Sequence, residues 1–326
     1  MFKTALRSAK HIALTLLIAG NVPIAAAEIK SISWIVPAPP GGVVDSTGRL
    51  FSQKLGEKLG VNVIVENKPG GGGIVAAEYV LNSNRSDTLY IIEATQTQAG
   101  IIDKMVKNMR YKPLEDLVPA HGLFYLPAAL VARTEAPFNT TEELIAYAKT
   151  RKDGLNFATT APGGVGHFYI AKYLDATGID GTLVHYKGSS PAITDLMGGN
   201  IDAMFDFLST ALPQIEAGKL KAITTMSSSR LSSLKNVPTV VEDGYPDALL
   251  PGWLGAFVKK GTPPEDVAAL SKALTEVLQD PEVKALEDRF GLILMDDMHH
   301  EKFVEFNKKE YATWGALVDK LGMDLQ

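Results

Sequence analysis

Three short stretches carry the residue types that could hold a small molecule: PAPPGGVVD (37–45), TTAPGGVGH (159–167) and KGSSPA (187–192). Each places glycine or proline between an apolar run and the start of a helical pattern. A helix start offers unpaired backbone N–H groups and about half a positive charge, so it attracts an anion without Lys or Arg. Glycine lets the backbone come close to a ligand. Proline restricts the turn and lowers the ordering cost of binding. Gly-rich turns also occur wherever a chain must bend tightly, so the pattern alone leaves both readings open.

Two carboxylates lie near these turns. Asp45, just past the first turn, reads as a helix-capping side chain, and Asp206, ending IDAMFD, as an acceptor for a backbone N–H, a bridging water or a ligand hydroxyl. Across one cleft the same two residues could instead serve as an acid/base pair in a secreted enzyme. A purely structural envelope protein is the third class. The chain lacks G-x-x-x-x-G-K-[ST], G-x-G-x-x-G after a strand, G-x-S-x-G and H-E-x-x-H, which removes the usual signals of nucleotide binding and hydrolysis. DDMHHE (296–301) has metal-ligand residue types, but neighbours on a helix start point apart, so it reads as a solvated cap. His121 and His185 have no motif partner and read as structural. No metal and no cofactor is expected.

These turns need a scaffold, and 326 residues at 46% hydrophobic content supply one large core or two. Zero cysteines excludes disulfides, Cys-based metal sites and thiol nucleophiles. The net charge of −5 and the lack of a basic cluster argue against nucleic acid. Lys3, Arg7 and Lys10 precede an apolar run at 12–20, and Ala25-Ala26-Ala27 supplies a cleavage pattern, so residues 1–27 read as a secretory signal with Glu28 starting the mature protein. That run is shorter than the roughly 20 residues that span a bilayer. An exported, periplasmic protein is expected.

Periodicity predicts strands at 31–36, 61–66, 88–94, 126–132, 155–158, 182–186, 201–207, 220–225 and 253–258. Between them fall helices at 45–59, 74–81, 166–176, 191–197 and 209–217. Gly60 reads as a helix stop, Thr140 to Glu143 as a capping box, Ser190-Pro191 and Thr262-Pro263-Pro264-Glu265 as capped starts, and 300–321 as a long amphipathic helix. Strands alternating with helices imply parallel sheets covered on both faces. In such folds ligands sit at the carboxyl ends of strands, where the turns lie.

IVPAPPGGVVD, VENKPGGGG (65–73), YKPLEDLVP (111–119), HYKGSSPAITDLMGGNIDAMFD (185–206) and NVPTVVEDGYP (236–246), in that order, resemble the substrate-binding receptors of tripartite tricarboxylate transporters, the Bug-type or TctC-like family, over essentially the whole mature chain. The resemblance implies an α/β type II periplasmic binding protein: two α/β domains, 28–130 plus 248–326 and 131–247, closing on an interdomain ligand cleft. It implies a monomer that passes a small organic carboxylate to membrane permease subunits or to a sensor protein. It pins one carboxylate between the first turn (Pro37, Ala38, Pro40, Gly41, Gly42, Asp45) and the facing turn (Thr160, Gly163, Gly164, Gly166, His167), with Thr95, Asp206 and Phe207 completing the set. The family's second turn usually reads like YASSGxGTSSH, so Gly163-Gly164 here loses a hydroxyl. The family's FDN becomes Phe205-Asp206-Phe207. With Trp34 and Tyr125 also near predicted strand ends, an aromatic or apolar-bodied carboxylate is expected.

Overall fold

The computed structural model describes residues 30–160 and 163–322; the expected signal segment, 1–27, lies outside them. Eleven strands are described: β1 (Ser31–Val36), β2 (Asn62–Asn67), β3 (Thr88–Thr95), β4 (Leu117–Leu126), β5 (Ala128–Arg133), β6 (Leu155–Thr159), β7 (Gly181–His185), β8 (Ala203–Phe207), β9 (Leu220–Thr225), β10 (Gly252–Lys259) and β11 (Ile293–Leu294). They form a six-stranded sheet, β11-β4-β10-β3-β1-β2, and a five-stranded sheet, β7-β6-β8-β5-β9.

Both sheets are mixed, which corrects the parallel expectation. β1 pairs in parallel with β2 and β3, but β10 runs antiparallel to β3 and β4. In the second sheet β6 is parallel to β7 and β8, while β5 is antiparallel to β8 and β9. β5 and β10, by which the chain enters each sheet from the other, are reversed, as is the short β11 against β4. The chain leaves the first sheet at Pro127, between β4 and β5, a little before the 130/131 division read from sequence, and returns through 226–251 into β10.

These directions fix what faces what. The carboxyl ends of β1, β3 and β4 and the start of β10 share one rim of the first sheet. The carboxyl ends of β6, β8 and β9 and the start of β5 share one rim of the second. Because β4 runs straight into β5, the two rims adjoin.

Apolar residues cover both faces of the first sheet. Helices Val43–Leu59, Pro264–Val277 and Pro281–Phe290 bury Phe51, Leu55, Leu270, Leu274 and Leu286 with Ile32, Trp34 and Leu254 on one face. On the other, helix His300–Leu321 buries Phe303, Trp314 and Leu317 beside Trp253 and Phe257. That helix also reaches the second sheet's layer: Trp314 meets Phe168 edge-on at 5.3 Å, and Lys320 Nζ pairs with Asp175 Oδ1 at 2.7 Å. No helix among the described residues is long and apolar enough to cross a membrane.

Candidate functional site at the adjoining rims

The first turn follows β1 and opens helix Val43–Leu59. Gly41 has φ 93, a left-handed conformation that an L side chain resists, and Gly42 is the extended N-cap with φ −81 and ψ 177. The second turn follows β6 and opens helix Val165–Thr177; there Gly163 has φ 69 and Gly164 φ −75 and ψ 164. The two turns therefore share one backbone path. The sequence carries that echo as PGGVVD and PGGVGH, with proline, two glycines and valine in the same order.

Each turn is braced by the side chain three places past its N-cap glycine. Asp45 Oδ2 accepts from Gly41 N at 2.9 Å, and His167 Nδ1 accepts from Gly163 N at 3.2 Å. Gly41 and Gly163 thus have their N–H groups engaged within their own turns. The donors left for an anion are the first N–H groups of each helix, where neither Gly42 nor Gly164 offers a capping side chain.

Asp45 is fully committed. Oδ2 also takes Arg49 Nε at 3.0 Å, and Oδ1 takes Asn67 Nδ2 at 2.8 Å and the Arg49 guanidinium at 2.9 Å. The Arg49 hydrogen bond, with help from Gly41 and Asn67, holds the carboxyl down at about 2 against the effect of burial. Asn67 Nδ2 also reaches Ala38 O at 3.0 Å, tying the turn to β2. Beneath the turn, fully buried Glu93 accepts from Trp34 Nε1 at 3.1 Å and Thr47 Oγ1 at 3.2 Å.

Asp206 is nearly buried at the end of β8. Ser189 Oγ donates to its Oδ1 and Thr210 Oγ1 to its Oδ2, each at 2.7 Å, and burial pushes its carboxyl upward. All of Asp45's acceptor sites are filled, and each Asp206 oxygen is held by a hydroxyl of its own rim, so both carboxylates are tied within their own lobes. Ser189 also begins its helix, Ser189–Met197, so the start lies two residues before the expected Pro191 and has no side-chain cap.

Other expected residues divide. Pro37 and Ala38 are half-buried and Pro40 exposed on the first rim, while Thr160, Gly166 and His167 are half-buried on the second. The Thr95 hydroxyl is tied to Gln98 Oε1 and to Thr97 N, inside its own turn. Phe207 is half-buried, its ring edge-on to Tyr169 at 6.4 Å. Trp34 points into the core, stacked on Phe51 at 6.4 Å, which corrects its expected place near the cleft. The DDMHHE side chains turn elsewhere: Lys302 pairs with Asp297, Glu301 with His299, and His300 Nδ1 with Pro119 O.

Sequence reading missed Gln96. It extends β3 on the same rim, is 1% exposed, and accepts Trp253 N–H on its Oε1 at 3.1 Å. A π-helical turn, Thr97–Ile101, follows it, a conformation often found at functional sites.

Two rims ending in matched anion-ready helix starts suit the capture of a small anion between sheets. The family model of the tripartite tricarboxylate transporter family receptor matches residues 48–323. The chain belongs to this receptor family. The receptor is 31% identical over 300 residues to the protein BugT of Bordetella pertussis, covering 91% of each chain. It also resembles the structure of MatC from Rhodopseudomonas palustris with bound malate, at 27% identity and TM-score 0.73 over 88% of this chain and 98% of that one. An R. palustris structure with adipate matches at 26% identity and TM-score 0.77 over 90% and 98%. Two α/β sheets in a binding-protein fold and membership of a substrate-binding receptor family are thereby established.

Proposed function

We propose that this receptor is periplasmic, holds a small organic carboxylate between its two lobes, and delivers it without chemistry of its own to the membrane subunits of a tripartite tricarboxylate-type transporter. The observation that carries the reading is the matched pair of turns. Each sets an uncapped helix start on one of two adjoining rims, each with its glycine N–H braced internally, so the remaining donors can converge on one carboxylate. Charge-assisted hydrogen bonds contribute about 1.5 to 3 kcal/mol each, so a few suffice for micromolar binding after ordering costs. The malate and adipate held by the two R. palustris proteins are small carboxylates of this kind.

The lobes, 28–130 plus 248–326 and 131–247 as read from sequence, divide in the structure at Pro127 and within 226–251, where hinge motion is expected, and the working form is a monomer. The acid/base alternative loses support from the committed oxygens of Asp45 and Asp206. Titration calorimetry of the mature protein against mono-, di- and tricarboxylates tests the reading. One saturable 1:1 isotherm is expected; no heat and no thermal stabilisation across the panel would sink it.

A further inference from the structure

Two buried polar groups from opposite lobes have donor hydrogens without an acceptor at the place where β10 enters the first sheet. One is Nε2 of Gln96, which has no partner; the other is the hydroxyl of Tyr169, in helix Val165–Thr177 two residues beyond His167. The Tyr169 oxygen faces the Gly252 backbone N–H, and its proton has no acceptor. Both residues are 1% exposed. The Gln96 amide is oriented by chemistry, since its Oε1 takes the Trp253 N–H and a flipped amide would set donor against donor. Its NH2 group therefore carries the two unpaired hydrogens.

The Tyr169 ring is fixed edge-on by Phe205 at 5.9 Å and Phe207 at 6.4 Å. Its hydroxyl lies so close to Gly252 that a Cβ there would sit 2.5 Å away. Gln96 and Tyr169 thus reach consecutive residues, Trp253 and Gly252, from the two sides of the cleft. Phenylalanine at 169 would fill the same space with no hydroxyl to satisfy, whereas leucine at 96 would strand the Trp253 N–H.

Their position relative to the first turn is set by register. Ile35 of β1 is level with Ile92 of β3, and Thr95 of β3 with Leu254 of β10. Gln96 stands on the rim one strand from the turn at 37–42, and Gly252 two strands away, distances of about 5 and 10 Å.

Building on the receptor reading above, we propose that Gln96 and Tyr169 form a second polar subsite that takes a hydrogen-bond-accepting group on the solute, a hydroxyl, keto or second carboxylate, about 5 to 10 Å from the carboxylate at the first turn. The preferred solute is a hydroxy- or dicarboxylate, and Gln96 and Tyr169 distinguish it from an apolar monocarboxylate.

The test compares malate with butyrate and adipate with hexanoate by calorimetry on the wild-type mature protein, Gln96→Leu and Tyr169→Phe, with a melting curve for each. At least one pair should show about tenfold preference for the member with the second acceptor. Each variant should cut that preference by about tenfold and leave monocarboxylate affinity within about twofold; Tyr169→Phe should melt close to wild type, and Gln96→Leu lower because it strands the Trp253 N–H. Gln96→Glu, which keeps the Trp253 contact, should penalise adipate above all. A variant that weakens all four acids alike, or a wild type that binds monocarboxylates equally well, overturns the subsite and leaves the receptor reading standing. Failure of all four acids to bind wild type overturns both.

Discussion

His167 Nδ1 accepts the backbone N–H of Gly163 at 3.2 Å, which makes the imidazole a brace for the turn only while that nitrogen is unprotonated. Burial, and then the neighbouring His185 ring at 5.4 Å, hold its pKa below the usual histidine value. The unfolded chain therefore binds the proton more readily, and stability rises with pH where it does so. His167 should contribute stability in full above about pH 6.5, with the contribution lost as pH falls through the lower folded value. Melting temperatures between pH 5 and 8 check this. Relative to His167→Gln, wild type should lose stability as pH falls. From that difference the contributions of buried His121, whose pKa is also lowered, and of Glu93, which runs the other way, cancel because both proteins share them.

Gly42 has nothing within 4 Å of where a Cβ would stand, and its φ of −81 suits any residue. Gly42→Ser would supply the missing N-cap hydroxyl, raising stability by a few tenths of a kcal/mol. The same hydroxyl would occupy the N–H groups proposed for the carboxylate. Melting temperature held or raised, with carboxylate affinity down about tenfold or more, is the expected outcome. An unchanged affinity would remove this helix start from the site.

Glu93 has no cation beside it. Burial lifts its carboxyl to about 8, against the pull of Trp34 and Thr47, so the folded protein keeps the proton at pH 7. The unfolded chain releases it above about 4.5. Sign follows: this contribution to stability is fully present below pH 4.5 and is lost as pH rises towards 8, at about 1.4 kcal/mol per pKa unit. Glu93→Gln should remove the slope and gain a few kcal/mol at pH 8, on the order of the lost ionisation cost. Denaturant melts of both proteins at pH 5 and pH 8 would show a gap that widens with pH; a constant gap would refute the account.

Trp253 Nε1 and Trp314 Nε1 both donate to Glu310 Oε2, at 3.1 and 2.9 Å, and Trp314 also packs on Phe168 of the other lobe. Two of the three tryptophans therefore report on the lobe junction, whereas Trp34 sits in the first core. Ligand-driven closure should change intrinsic fluorescence. The change should survive Trp34→Phe and shrink in Trp314→Phe, leaving the Trp253 part; the reverse pattern would place the motion elsewhere.

Much of this architecture is written in local sequence signals, and the failures have physical causes. Gly60 stops its helix in the left-handed conformation, Thr140 caps Glu143 N, and the last helix runs over His300–Leu321 as its aromatic spacing predicts. β4 escaped because LVPAHGLFYL carries Pro119, His121 and Gly122. It is held as a strand by β10 and β11 on either side, with two register shifts against β10. Strand direction is a tertiary property, so the antiparallel crossing strands left no local trace. At the site, the turns were legible because Gly41 and Gly163 take positive φ, which demands glycine. Gln96 was not, because an isolated glutamine acquires meaning only through the Trp253 N–H that orients it.

The strand order also dictates a sequence of assembly. β5 to β9 lie within one unbroken run of chain, 128–225, whereas β10 inserts between β3 and β4. On a chain growing from its amino terminus, every strand of the second lobe exists before the first lobe's sheet can be joined. A chain ending before Gly252 would hold β1, β2 and β3 apart from β4, each half with an open edge. The last strands made complete the first lobe.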